Sequence, residues 1–350
     1  MFSFRTTAIS EQLDKGLVEG RVACFCTPGC WNSATGKYLW ELFRERGNLE
    51  RLFLPSSHGP GAGNFDFSAS DLEGLDAVVV EIQDVGARYY GYTRDVMRLL
   101  SFRARMESGP SIYIVDHINP AGRVVEGTLP VLDPGPWIPK VAHRHGLTLG
   151  ELCNLWCSEA GTSFPLHVIS ALTVEAGREL LPWVIPPSPD VLGLFTCDMY
   201  SGGALWTETS VTPGLGTARP YEFIGAPYIS NASVPPSPQG VLMRPCSFTP
   251  VSGLYAGQEC RGYQIILLPG ARYHSLLHTL QLMRWFADRF SMFEISSGLL
   301  EKIADPVIAE YLGGGITFDI VQEHVKAEEQ KWIRKARRFL LYDDSPYRIK

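Results

Sequence analysis

Glu81, Gln83, Asp84, Arg88, Tyr89, Tyr90 and Tyr92 crowd the end of the apolar run DAVVVEI, residues 76–82. Carboxylates can exchange protons, a guanidinium can fork onto an anion, and phenol rings can stack on a sugar. Asp116, His117 and Asn119 stand at the end of a second apolar run, SIYIVD, and His58 follows a third, RLFLP. For any single residue there is a plainer reading, in which Asp84 caps a turn and Arg88 makes a structural ion pair. Convergence of three segments on one edge favours a site.

Two more stretches carry suitable groups. His143, Arg144 and His145 precede the sequence LTLGEL, where a helix amino terminus would favour an anion, although solvated loop histidines are an equal alternative. The segment GLGTARPYEFIGAP, residues 214–227, sets Arg219, Tyr221 and Glu222 among glycines and prolines, a rigid loop able to aim a planar guanidinium at a carboxylate. Trp206 and Tyr228 are available to stack on a sugar ring or to seal an interface.

Other chemistries find less support. GPGAGN, residues 59–64, lacks the third glycine of a dinucleotide loop, Pro60 removes a backbone donor, and no Walker lysine follows. Cys24, Cys26 and Cys30 have no second cysteine knuckle to complete a zinc site, so buried reduced thiols are expected there and no metal. G-x-S-x-G, H-E-x-x-H and cysteine–histidine signatures are missing. Carboxylates, arginines and aromatics in loops remain, the equipment of carbohydrate chemistry.

Elements must hold these groups in place. The runs 21–27, 51–54, 76–82 and 111–116 lack clean period-two alternation, which suits strands covered on both faces. KYLWELFRERG and TRDVMRLLSFRARMES between them carry apolar residues at helical spacing. Alternating strand and helix predicts an α/β layer, a Rossmann-like and mostly parallel sheet with helices on both faces. Thr148 with Glu151 forms a capping box for a helix ending near Gly161, and FPLHVIS reads as a further strand. Residues 182–240 are rich in proline, glycine and serine. A strand at GYQIILLP and helices at 272–290, 297–312 and about 320–340 complete a smaller α+β domain. The expected division is 1–228 and 229–350.

The 350 residues are 45% hydrophobic and 19% charged, with a net charge of −6. That balance offers no footprint for nucleic acid or an anionic membrane surface. No run approaches the ~20 apolar residues of a membrane span. The opening MFSFRTTAIS EQLDKG has no apolar core of a secretory signal, so a soluble, cytoplasmic protein is expected.

EIQDVGARYYGY, VDHINPAGRVVEG, HRHGLTLGEL, PPSPD, GLGTARPYEFIGAP, YAGQECRGYQI and RRFLLY occur in an order and spacing that resemble the NamZ-type exo-β-N-acetylmuramidases. The resemblance spans residues 20–343, and the motifs at 83–92 and 214–227 are the specific ones. It implies a Rossmann-like domain without a dinucleotide, a smaller carboxyl-terminal domain and an active cleft between them. It also implies release of N-acetylmuramic acid from the non-reducing end of peptidoglycan fragments, with neither metal nor cofactor. The lactyl carboxylate of that sugar would give Arg88, Arg144 or Arg219 a task. The resemblance makes Asp84, Glu126 and Glu222 the catalytic candidates, and His58, Gln83, Arg88, Tyr90, Asn119, Arg144, His145 and Arg219 the substrate-binding ones.

The chain departs from the family pattern at three places. The usual Pro-Glu-His-Gly appears as LPSSHG, with Ser57 before His58; the usual Glu-Gly-Thr-Asn appears as TETS, and Ser-Glu-Gly-Arg-Gly as TPGLG. A serine hydroxyl is far too weak an acid to protonate a glycosidic oxygen at neutral pH. Glu208 lies one position from a lost acidic residue. A muramidase, a hydrolase of another sugar and a sugar-binding homologue without catalysis all follow from this pattern.

Overall fold

The computed structural model describes residues 16, 18–32, 36–55, 65, 67–133, 138–170, 185–230 and 233–342. Ser57, His58 and the GPGAGN stretch lie outside the described residues. By internal contacts the chain forms two compact units, residues 1–123, 146–189 and 336–350 in one, and 124–145 with 190–335 in the other. The expected boundary at 228 falls inside the second unit, because the units interleave along the chain rather than following one another.

The first unit is built on five parallel strands, β1 (Val22–Cys26), β2 (Leu49–Phe53), β3 (Ala77–Glu81), β4 (Ser111–Asp116) and β5 (Leu166–Ser170), in the order β2-β1-β3-β4-β5. All five expected strands are present. The helix Leu39–Arg46 lays Leu39 and Phe43 on one sheet face, against Val22, Cys24, Ala77, Val79, Val115 and Ile169. Alternate residues point to the opposite face, and Ala23, Phe25, Val78, Val80, Ile112 and Ile114 are buried as well. Phe25 and Phe53 meet Phe65 and Phe67 there at ring separations of 5.2–5.8 Å. Burial on both sides explains the unbroken apolar runs. Gly47, at φ 75°, ends the helix in a left-handed turn that a side chain would oppose.

Strand order reverses between β1 and β3, since the chain first adds β2 on one side and then all later strands on the other. In open parallel sheets a ligand crevice forms at such a reversal, outside the carboxyl ends of the strands. The helix Gly91–Ala104 follows β3, and Leu149–Ala160 precedes β5. The latter starts at the Thr148–Glu151 capping box and stops at Gly161, as its sequence predicts.

The second unit carries a three-stranded antiparallel sheet, β6 (Phe223–Ala226), β7 (Val241–Phe248) and β8 (Cys260–Leu267), in the order β6-β8-β7. Only β8 was foreseen. Pro245 disguises β7, which tolerates a proline because it lies at an edge. Gly262 is obligatory in β8, since an added Cβ would lie 1.9 Å from the Ile224 carbonyl oxygen. The helices Leu194–Gly203 and Ser275–Arg289 pack so closely that a Cβ on Gly202 would sit 2.3 Å from the Ser275 carbonyl oxygen. The expected helix 297–312 is two helices, Ser297–Ile303 and Pro306–Leu312. Pro306 cannot donate to the preceding turn, Ala304 adopts φ +52°, and the Asp305 carboxylate caps the second helix at Val307 and Ile308. Phe318–Ala336 is the longest helix described. No helix among the described residues is long and apolar enough to cross a membrane.

Candidate active site

The carboxyl edge of the parallel sheet is assembled from the loops that leave β3 and β4. Gln83 Nε2 donates to the carbonyl oxygens of Asp84 at 2.8 Å and Ile118 at 3.0 Å, tying the two loops together. Asp84 is buried, its Oδ2 accepting from the Gly86 N–H at 2.8 Å and its Oδ1 from the Thr93 hydroxyl at 2.5 Å. Gly86 has φ +82°, and a side chain there would run into Asn119 and Ala121. Asn119 closes its own turn by accepting from the Ala121 N–H and reaches the Leu147 carbonyl oxygen with Nδ2. Arg88 is wholly buried, and Tyr90 is buried edge-on to Tyr92 with ring centroids 5.3 Å apart.

Glu81 and His117 differ from these neighbours. Glu81 closes β3 and has one face toward solvent, with its Oε1 3.3 Å from His117 Nε2. Its backbone is fixed on both sides by the ladders to Cys26 and Val115, and the Cys30 thiol donates to its carbonyl oxygen at 2.9 Å. Burial, with the Glu81 charge adding to it, pushes the Cys30 thiol up to about 12, so this thiol stays protonated.

The helix amino terminus expected to receive a ligand anion is filled by the protein's own carboxylates. Asp116 accepts from the Gly150 N–H, the Thr148 hydroxyl and the Tyr342 hydroxyl, at 2.7, 2.7 and 2.9 Å. Burial raises its carboxyl to about 6 against these donors. Glu151 accepts from the Thr148 and Leu341 N–H groups and pairs with Arg123.

In the second unit Glu126 and Arg144 form an antiparallel bridge through their backbones and an ion pair through their side chains, at 2.8 Å. Both are buried. Glu126 Oε2 also accepts from the Ser201 hydroxyl at 2.8 Å and the Leu276 N–H at 3.2 Å. Arg144 Nη2 reaches Asp198 at 3.0 Å. Burial works against the charge of Arg144, but Glu126 and Asp198 outweigh it and hold the guanidinium above its ordinary value. His274 sits behind this pair, accepting from the Leu277 N–H at Nδ1 and meeting Glu329 at 2.7 Å through Nε2. His145 is buried, and its carbonyl oxygen accepts from Trp332 Nε1. Asp198, Ser201, His274 and Glu329 come from segments far from Glu126 in sequence, and no motif announced them.

The loop before β6 presents a different pair. Arg219 Nη1 lies 3.4 Å from both oxygens of Glu222, and the arginine side chain is 59% exposed against 10% for the glutamate. Gln264 Nε2 reaches Glu222 Oε2 at 3.3 Å, while Arg244 holds Gln264 Oε1 with two donors at 2.9 and 2.7 Å. Tyr221 precedes Glu222 at φ +66°, uncommon for a residue with a bulky side chain. Its N–H donates to the Pro213 carbonyl oxygen and its ring meets Tyr200 at 5.0 Å, which holds the conformation. Glu208 is tied by Ser296 and Lys302, which overcome the effect of burial and keep its carboxyl below the usual range.

Residues 63–193 match the family profile described as "Exo-beta-N-acetylmuramidase NamZ, N-terminal", and residues 199–342 the one described as "Exo-beta-N-acetylmuramidase NamZ, C-terminal". The chain is similar to the peptidoglycan beta-N-acetylmuramidase NamZ of Bacillus subtilis (strain 168), 26% identical over 288 residues, which cover 77% of this chain and 68% of that protein. Two crystal structures of DUF1343 family proteins from Bacteroides fragilis share its fold. One has a TM-score of 0.80 at 17% identity, covering 98% of this chain and all of the other. The second has a TM-score of 0.76 at 21% identity, covering 96% and 98%.

Proposed function

We propose, for a chain that belongs to the NamZ exo-β-N-acetylmuramidase family, a glycoside hydrolase that releases N-acetylmuramic acid from peptidoglycan fragments. The observation that carries this reading is the match of both family profiles, in order, across most of the chain. In such a reaction one carboxyl group protonates the leaving oxygen and a carboxylate acts as base or nucleophile through an oxocarbenium-like transition state. Of the three carboxylates expected to work, Glu222 is the one with long, loose contacts and an exposed arginine beside it. It is assigned the direct role. Asp84 and Glu126 have both oxygens engaged by the protein and are assigned the holding of loops.

Arg219 is assigned the lactyl carboxylate. Arg88 and Arg144 are buried, whereas Arg219 keeps most of its donor edge in solvent and can fork onto a dissolved carboxylate. The eight cysteines are all free thiols, in keeping with a reducing compartment and with a recycling step on fragments inside the cell.

A second reading, a sugar-binding homologue without catalysis, is favoured by the saturation of Asp84 and Glu126. Incubation with a chromogenic β-N-acetylmuramide and the matching N-acetylglucosaminide separates the two. Release from the muramide alone, lost in Glu222→Gln, supports the hydrolase. Binding of free N-acetylmuramic acid without release from either compound supports the binding protein.

A further inference from the structure

Side chains at the carboxyl edge of the parallel sheet fall into two groups. Gln83, Asp84, Asp116 and Asn119 spend their polar atoms on loop backbone and on neighbouring hydroxyls. The carboxylate of Glu81 accepts no hydrogen bond among the described residues and has only the His117 imidazole beside it, at 3.3 Å. His117 Nε2 is buried and makes no hydrogen bond among the described residues, so the contact is close but off the hydrogen-bonding axis. The Glu81 side chain is 11% exposed, and its carboxylate, without a protein donor among the described residues, is left for a ligand or water to meet.

The backbone beneath this pair is rigid. Glu81 is the last ladder residue of the central strand, paired to β1 and β4 at once, and Cys30 anchors its carbonyl oxygen. A functional group on a fixed strand with an unfilled valence toward solvent, at the point where strand order reverses, is placed as a working group would be.

We propose that Glu81 and His117 form the proton-transfer pair of the glycosidase, supplying the acid that Ser57 cannot be. This inference rests on the muramidase reading above. The pair supplies one proton to the leaving group. That proton passes to the glycosidic oxygen as the bond to the anomeric carbon breaks and its electron pair leaves with the oxygen. Water adds to the anomeric carbon and returns a proton to the pair, so the sum is hydrolysis with one water consumed.

Leaving-group dependence tests the assignment, because a nitrophenolate departs without protonation and a sugar hydroxyl does not. Wild type, Glu81→Gln and His117→Gln are assayed on 4-nitrophenyl β-N-acetylmuramide and on a disaccharide with N-acetylmuramic acid at its non-reducing end. For each variant, kcat on the disaccharide should fall by about 10²–10⁴-fold and far less on the aryl substrate, a split that a packing defect would not produce. Should Glu81→Gln fail to fold, His117→Gln decides alone. Equal activity of wild type and a folded variant on the disaccharide overturns the pair and leaves the muramidase reading standing. An inactive wild type on both substrates overturns the muramidase reading, and the proton-transfer role with it.

Discussion

Glu126 and Glu222 are both buried carboxylates with an arginine partner in the same unit, yet they are built for opposite ends. Around Glu126 the contacts are short, they come from three separate segments, and the arginine is itself buried and shared with Asp198. Around Glu222 the contacts are 3.3–3.4 Å, the arginine is three residues away, and its guanidinium faces water. A saturated carboxylate fixes the chain, and an under-filled one remains available to a ligand. Residue type and burial alone do not tell the two apart; the number and length of hydrogen bonds do.

The contrast is broken most directly at Glu126. Glu126→Ala removes the carboxylate closest to the buried Arg144 guanidinium and should cost about 3–5 kcal/mol, read from denaturant unfolding; a loss below 1 kcal/mol would return Glu126 to the catalytic candidates. Glu222→Gln should instead leave the unfolding midpoint nearly unchanged while lowering kcat on the muramide by about 100-fold or more. A matching collapse of stability would make Glu222 an anchor as well. Arg219→Lys, which loses the planar fork, should weaken capture of the muramide by about 10-fold, one hydrogen-bonded charge contact, and leave N-acetylglucosaminide binding unaffected. Equal weakening for both sugars argues against lactyl recognition.

The smallest effect concerns pH. His274 is raised above its ordinary 6.5, since Glu329 and Glu126 outweigh burial and the repulsion of Arg144. A raised folded value means that the protonated form stabilises the fold; the contribution is complete below about 6.5 and fades as pH climbs through the higher folded value. The melting-temperature advantage of wild type over Glu329→Gln should therefore shrink between pH 6 and 8. A constant advantage would show that Glu329 acts through the Gly127 N–H, which it also accepts from, rather than through His274.

Legibility in the sequence followed burial. The five parallel strands stood out because burial on both faces leaves continuous apolar runs such as AVVVE, and the Thr148–Glu151 box marked its helix to the residue. The antiparallel sheet was harder, since Pro245 and the glycines of β6 and β8 look like loop residues until cross-strand neighbours are known. At the site, types and segments were visible but commitments were not. Nothing in the string EIQDVGAR distinguishes Asp84, with both oxygens filled locally, from Glu81, whose carboxylate is left with an imidazole. That difference is set by Thr93, Gly86 and His117 acting through the folded chain.

The Tyr342 hydroxyl closing on Asp116 has a consequence for synthesis. The two residues are 226 positions apart, and Leu341 likewise fills Glu151 across 190. A ribosome adding about 5–20 residues per second releases the amino-terminal strands some 10–45 seconds before their last partners exist. The parallel sheet must therefore wait for residues 341 and 342 to emerge before Asp116 and the start of its neighbouring helix gain these last donors.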